Sequence, residues 1–240
     1  MQANHSVIKE YPIDITKYPL VKKVQFHEYI LTENQYLFIP KLWSHWIVTD
    51  PYTLSYHYWC NKTSPSIPDI DYTDLFYDNI CKKEPFTGEG MYTGSFSIQD
   101  FIKENENHHV NVFYSTEDFA PVLKEGQTND MKFFRTKTIK EVAENKENLP
   151  MYCMYNKFSD LTIYKDQHIN SIINSDINLS YLPTVWFTLH NSTDSGLHCD
   201  PGNSIIYVRS GKKRVLLVNP IYMKYLYMSP MQSIKNDIKL

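Results

Sequence analysis

His198 and Asp200 stand two residues apart in the run Ser195-Gly-Leu-His198-Cys-Asp200-Pro-Gly-Asn-Ser-Ile-Ile-Tyr-Val-Arg-Ser-Gly211-Lys-Lys213. On a strand, that spacing sends both side chains from one face of a sheet, where they can converge on one ion. Imidazole and carboxylate make a mixed nitrogen and oxygen ligand set. One further His would complete the two-His-one-carboxylate triad that leaves coordination positions open on non-haem iron. His-x-Asp also arises by chance, and in a chain with nine His a loop His beside a solvated Asp is the plain alternative. The residues that follow favour the first reading. Ile205 to Val208 read as a strand, Ser210-Gly211 as a turn and Lys213 to Val218 as a second strand, so a hairpin carries a basic residue back toward the pair.

The elements that must position these groups are mostly strands. Tyr36 to Ile39 reads as a strand stopped by Pro40, after which the aromatic stretch Trp43-Ser44-His45-Trp46 delivers His45 into another strand. Tyr52 to Trp59 alternates and reads as one more. Val21 to Ile30, Val110 to Tyr114, Met151 to Tyr155 and Pro183 to His190 are further strands. Ser97 reads as the N-cap of a helix from Ile98 to about Asn105 with Ile98, Phe101 and Ile102 on one face, and Thr138 to Glu147 as a polar helix. Residues 1–20, with Pro12 and Pro19, read as an extended lead-in. Thr63-Ser-Pro-Ser-Ile-Pro is a linker signature, followed by a short helix from Tyr72 to Ile80 that Gly88-Glu-Gly90 ends. Asp160 to Asn178 reads as irregular or helical, Tyr222 to Tyr227 as a helical turn, and Ser229 to Leu240 as a polar tail.

Composition bounds the class. With 240 residues, 42% hydrophobic and 21% charged, and only 7 Gly, the chain suits one globular domain and excludes collagen-like or broadly disordered sequence. The 19 Tyr favour half-buried sheet surfaces, hence a strand-rich fold. A net charge of −3 gives no general attraction to nucleic acid. Cys60, Cys81, Cys153 and Cys199 form no CxxC pair and read as reduced thiols, which implies a cytoplasmic or nuclear protein that is not secreted. No run is apolar and long enough to suggest a signal peptide or a membrane span.

The residues from Ser195 to Asp200 and from Gly211-Lys-Lys213-Arg-Val-Leu-Leu-Val-Asn to Pro220, with Trp186 on the strand before them, resemble the central part of the Jumonji-C (cupin-8 type) Fe(II)/2-oxoglutarate oxygenases. In that family a distal His follows later in the chain. Here no His follows His198, but Tyr36-Leu-Phe-Ile39-Pro40-Lys-Leu-Trp43-Ser-His45-Trp46-Ile and Ser55-Tyr-His57-Tyr-Trp59 resemble the missing segment and come first. The chain thus looks like a circularly permuted Jumonji-C domain, a double-stranded β-helix (cupin or jelly-roll barrel) that is mainly β with flanking helices. Residues 1–60 would correspond to the family's C-terminal half, 61–90 to a connecting segment and 91–240 to its N-terminal half. The alternative is a fragment of a tandem array holding the back of one barrel and the front of the next.

The resemblance implies that His198, Asp200 and His45 hold Fe(II) and that Lys213 meets the far carboxylate of 2-oxoglutarate. Lys212, Lys213 and Arg214 also read as a solvated hairpin edge. Ser195 and Tyr152 match positions that contact the same carboxylate in relatives, though Ser195 reads equally well as a turn residue. His57 stands where relatives place an Asn, to bind cosubstrate or to pack. Asn203 lies one residue nearer His198 than the family's usual Asn, so that either Asn203 or Ser204 fills its pocket. Trp43, Trp46 and Trp59 read as core aromatics. The implied function is a dioxygenase that hydroxylates a protein or peptide side chain, with homodimers common among relatives. A non-catalytic cupin-like binding module, and a cupin metalloenzyme without 2-oxoglutarate, are the competing expectations.

Overall fold

A computed structural model of the protein describes residues 4–60, 84–89, 95–114, 134–157, 160–162, 179–200 and 202–228. The helix expected at 72–80, most of the linker and of the 160–178 segment, and the 229–240 tail lie outside the described residues. In chain order the strands are β1 (Asn4–His5), β2 (Phe26–Leu31), β3 (Gln35–Ile39), β4 (Ser44–Thr49), β5 (Thr53–Cys60), β6 (Phe86–Glu89), β7 (His109–Tyr114), β8 (Phe134–Thr138), β9 (Met151–Lys157), β10 (Leu179–Thr188), β11 (Thr193–Asp194), β12 (His198–Cys199), β13 (Asn203–Ser210) and β14 (Lys213–Val218). Among the described residues there are also two helices, α1 (Ile98–Glu104) and α2 (Ile139–Glu144), and two 3-10 turns, Pro19–Lys23 and Pro220–Tyr225.

All pairings are antiparallel. The smaller sheet runs β1-β12-β4-β14-β2, with β11 also on β4, and the larger runs β6-β3-β13-β5-β10-β9-β7-β8. Alternation along the strands divides the apolar residues into layers. Leu37, Ile39, Ile206 and Val208 of the larger sheet meet Ile47, Val215 and Leu217 of the smaller in a core between the sheets. Tyr56, Tyr58, Val185, Phe187, Ile205 and Tyr207 point the other way, into a layer that α1 and α2 close with Ile98, Phe101, Ile139 and Val142. On the outside of the smaller sheet, Trp46, Leu216 and Val218 are covered by Ile8, Tyr18, Val21 and Leu226. Face-to-face antiparallel sheets with helices on one outer face are the mainly β, jelly-roll (cupin) architecture expected from the sequence.

Both helices begin where their caps dictate. The Ser97 hydroxyl accepts from Asp100 N at 3.2 Å, and Thr138 with Glu141 forms a full capping box that starts α2. Asn145, in the left-handed conformation, ends α2 at Glu144, three residues short of the expected helix. Three further differences have local causes. Pro19 opens a 3-10 turn over Pro19–Lys23, so the strand expected from Val21 starts at Phe26. Residues 86–89 pair with β3 as a strand, and Gly88 lies inside it. The N-terminal segment contributes β1 to the smaller sheet.

Partners far apart in sequence build the smaller sheet. β14 pairs with β2 from Lys213↔Leu31 to Val218↔Phe26, and Ser6 N donates to Leu197 O at 2.8 Å while Val7 N donates to Tyr227 O at 3.1 Å. The hairpin joining β13 to β14 needs a glycine: Gly211 has φ +82, and a Cβ there would collide with the Thr53 side chain and with its Cα. Thr53 Oγ1 accepts from Lys212 N at 3.0 Å, fixing where Lys213 enters the sheet.

Candidate metal centre

β12 lies between β1 and β4, so His198 stands directly opposite His45 on one side and His5 on the other. Opposite residues in antiparallel strands share a face. His45 and His198 have ring centroids 4.2 Å apart, and Asp200 follows as β12 ends. Ligand atoms of His45, His198 and Asp200 all lie within 4.8 Å of one another, a group that could hold a metal ion.

The ring nitrogens are arranged for that task. His45 Nδ1 lies 3.0 Å from Trp43 O and His198 Nδ1 3.0 Å from Gly196 O. A carbonyl only accepts, so each Nδ1 carries the proton and each Nε2 keeps its lone pair. Backbone carbonyls placed in this way set the tautomer a metal requires. Burial, with His45 alongside, pulls His198 down to about 3, keeping it neutral. Burial works to raise the Asp200 carboxyl, but the close polar contact with His45 and the proximity of the other imidazoles outweigh it and hold the group below its usual value. His45 Nε2 lies 3.4 Å from Asp200 Oδ2.

A second polar feature sits farther along the same face. Thr49, four residues or roughly 13 Å beyond His45 on β4, pairs with Lys213. Lys213 is fully buried, and its amine donates to Tyr152 Oη at 3.0 Å. Thr49 Oγ1 donates to the same oxygen at 3.5 Å. Burial lowers the lysine to about 7 and raises the Tyr152 hydroxyl. The solvated hairpin edge is therefore excluded for Lys213. Its neighbours Lys212 and Arg214 are solvated, the latter paired with Glu28.

The larger sheet supplies the facing wall. His57 is buried, stacks on Trp186 at 4.3 Å and 10°, and shares a polar contact of 3.2 Å between its Nε2 and Ser55 Oγ. Burial, with Lys213 and His45 adding to it, holds His57 well below its usual value, so it is a neutral ring between the triad and the lysine. Two residues marked out in the sequence are engaged with the backbone. Ser195 Oγ accepts from Ile47 N at 3.0 Å and donates to Gly196 O at 3.1 Å, while Asn203 Oδ1 accepts from Lys41 N at 2.8 Å. Ser204 is also buried. Trp43 and Trp46 are core residues, as expected.

Two residues escaped the sequence reading. His5 stacks on His198 at 5.1 Å and 19°. Tyr155 sits in a β-bulge of β9, where Val185 pairs with Asn156 and Phe187 with Cys153, and it has φ +54. Its ring meets the Trp186 edge at 4.6 Å and is 48% exposed, yet burial by surrounding protein, with Asp200 adding to it, pushes its hydroxyl up to about 12. Neither residue had a signal, since a two-residue strand has no periodicity and this bulge has no glycine to mark it.

No family model matches the chain, and no solved structure matches it. A protein of Acanthamoeba polyphaga mimivirus that carries the name JmjC domain-containing protein is 26% identical to it over 243 residues, covering 91% of this chain and 38% of that protein. The chain is similar to a JmjC-named protein along most of its length. It spans little more than a third of that relative. The likeness supports a JmjC-like, cupin-type family and agrees with the jelly-roll fold and the His-His-Asp group. Among the described residues, no helix is long and apolar enough to cross a membrane.

Proposed function

We propose that the protein is an Fe(II)- and 2-oxoglutarate-dependent dioxygenase that hydroxylates a protein or peptide side chain. One observation carries the reading: the His-His-Asp group and a fully buried lysine without a carboxylate partner among the described residues lie on one face of the smaller sheet. A buried cation is costly unless an anion meets it, and a dicarboxylate that chelates a metal at one end brings such an anion at the other. His45 and His198 would hold the ion through Nε2 and Asp200 through a carboxylate oxygen, a set that suits ferrous iron with open positions. With metal and cosubstrate bound, the site would supply an oxidant strong enough to hydroxylate a C–H bond. Lys213 would carry a proton and pair with the far carboxylate, with the Tyr152 hydroxyl as a further donor. His57 and Trp186 would form a neutral wall that keeps water from that pair.

We infer also that the domain is circularly permuted, with residues 1–60 as the family's C-terminal half, 61–90 as the connection and 91–240 as its N-terminal half. The β2–β14 pairing and the contact of residues 6–7 with 226–228 support this, because a permuted barrel needs its broken hairpin re-formed between distant segments. The competing reading, a cupin-like binding module without turnover, draws support from Ser195 and Asn203, whose polar groups are engaged with the backbone. Anaerobic Fe(II) titration of the monomer, followed by 2-oxoglutarate, tests the proposal. A metal-to-ligand charge-transfer band in wild type, absent in both His45→Ala and His198→Ala, is expected, with succinate formation in air. No band in folded, iron-exposed wild type would overturn it, and a band without succinate would favour the binding module.

A further inference from the structure

Three histidines stand side by side across three neighbouring strands of the smaller sheet: His5 on β1, His198 on β12 and His45 on β4, paired as His5↔His198 and His198↔His45. β12 is two residues long, and among the described residues β1 is its only sheet neighbour besides β4. Beyond the pairing, Ser6 N donates to Leu197 O at 2.8 Å and Ser6 Oγ donates to Leu226 O at 2.5 Å, anchoring β1 to both the His198 strand and the segment after β14. His5 does not join the cluster of ligand atoms within 4.8 Å. Its ring instead lies nearly parallel to that of His198, at 5.1 Å and 19°.

We propose that His5 is a positioning residue of the metal centre, its ring face holding the His198 imidazole in the plane that aims Nε2 at the ion. The inference rests on the metal reading above. His198 is held at one point by its hydrogen bond to Gly196 O, which fixes the tautomer and restrains χ2 only within the angular tolerance of a single hydrogen bond. His45 meets one flank of the ring at 60°, and His5 closes the other. Loss of the hydrogen-bonded outer partners of ligating histidines typically weakens metal binding about 10–100-fold, and the His5 ring acts on the same orientation by stacking. The N-terminal strand is thereby part of the metal site without supplying a ligand.

The test is anaerobic Fe(II) titration of the full chain as wild type, His5→Ala, His5→Gln and His5→Phe, with far-UV circular dichroism to confirm the fold of each. The Ala and Gln variants, which lack a ring, are expected to bind Fe(II) about 10–100-fold more weakly. The Phe variant, which restores a ring face without a nitrogen, is expected to recover most of that loss. Wild-type affinity in the ringless variants would overturn the inference, as would a Phe variant no better than Ala, since the role would then belong to the nitrogens. A wild-type chain that binds no Fe(II) would instead remove the metal reading itself, and this one with it.

Discussion

The Lys213 amine of the smaller sheet donates to the Tyr152 hydroxyl of the larger across 3.0 Å, fully buried, and among the described residues no carboxylate stands within ion-pair distance of it. A phenol neutralises no charge, so this pair is costly in the apo protein and becomes favourable only with an anion. Replacing the lysine by an apolar side chain of similar length should therefore stabilise the apo protein. Lys213→Met is expected to raise the unfolding free energy by roughly 1–3 kcal/mol at neutral pH and, on the proposed function, to lack the 2-oxoglutarate thermal shift expected of wild type. A lower melting midpoint for the variant would show that the lysine is satisfied where it stands.

The same group sets a pH dependence. Its folded value of about 7 lies below the 10.5 of an exposed lysine, so between them the unfolded chain binds the extra proton. Apo stability from this group is full above the unfolded value and is lost as pH falls through about 7. Binding a dicarboxylate requires the protonated amine. Affinity for 2-oxoglutarate should then fall as pH rises above about 7, with proton uptake on binding measurable by calorimetry in buffers of different ionisation enthalpy. A flat affinity from about pH 6.5 to 8.5 would contradict the assignment.

Gly211→Ala should be costly for two reasons. The residue needs φ +82, and its Cβ would press on Thr53, whose hydroxyl clasps Lys212. We expect a loss of more than about 1 kcal/mol in urea denaturation, together with weaker 2-oxoglutarate binding, because Lys213 enters the sheet two residues later. A stability loss with unchanged affinity would separate the turn from the site.

Tyr155→Asn should be close to neutral for stability. The left-handed backbone at φ +54 costs a tyrosine roughly 1–2 kcal/mol and an asparagine less, while the lost edge contact with Trp186 is worth about 0.5–1.5 kcal/mol. The two offset each other, so the thermal midpoint should move little. A large fall would mean that the Tyr155 ring contributes more by packing on Trp186 than its backbone conformation costs.

His198, Asp200, His45 and Lys213 were legible in the sequence because their signals are local. A two-residue spacing, a proline-stopped strand and a Ser-Gly turn each constrain a few neighbouring positions, and pairing then brings the segments together. The first helix announced itself through its Ser97 cap, and the second was expected from Thr138, where the structure shows a capping box with Glu141. Signals that depend on register did not show. His5 matters only because it falls opposite His198, and the strand at 134–138 alternates too weakly to stand out before it pairs with β7. Side-chain direction was equally hidden: Ser195 and Asn203 lie in the expected stretch, but their hydrogen bonds go to Ile47, Gly196 and Lys41.

The strand that carries His45 has β11, β12 and β14 as its sheet neighbours, all formed by residues from Thr193 onward. A chain emerging from the ribosome therefore exposes β4 early and leaves both its edges open while some 140 further residues are made. Such late closure makes for slow folding and a long interval of vulnerability to mispairing. His45 meets His198 and Asp200 only once residues near 198–200 have been made, so any ligand held by that group arrives late in synthesis and cannot guide the steps before it.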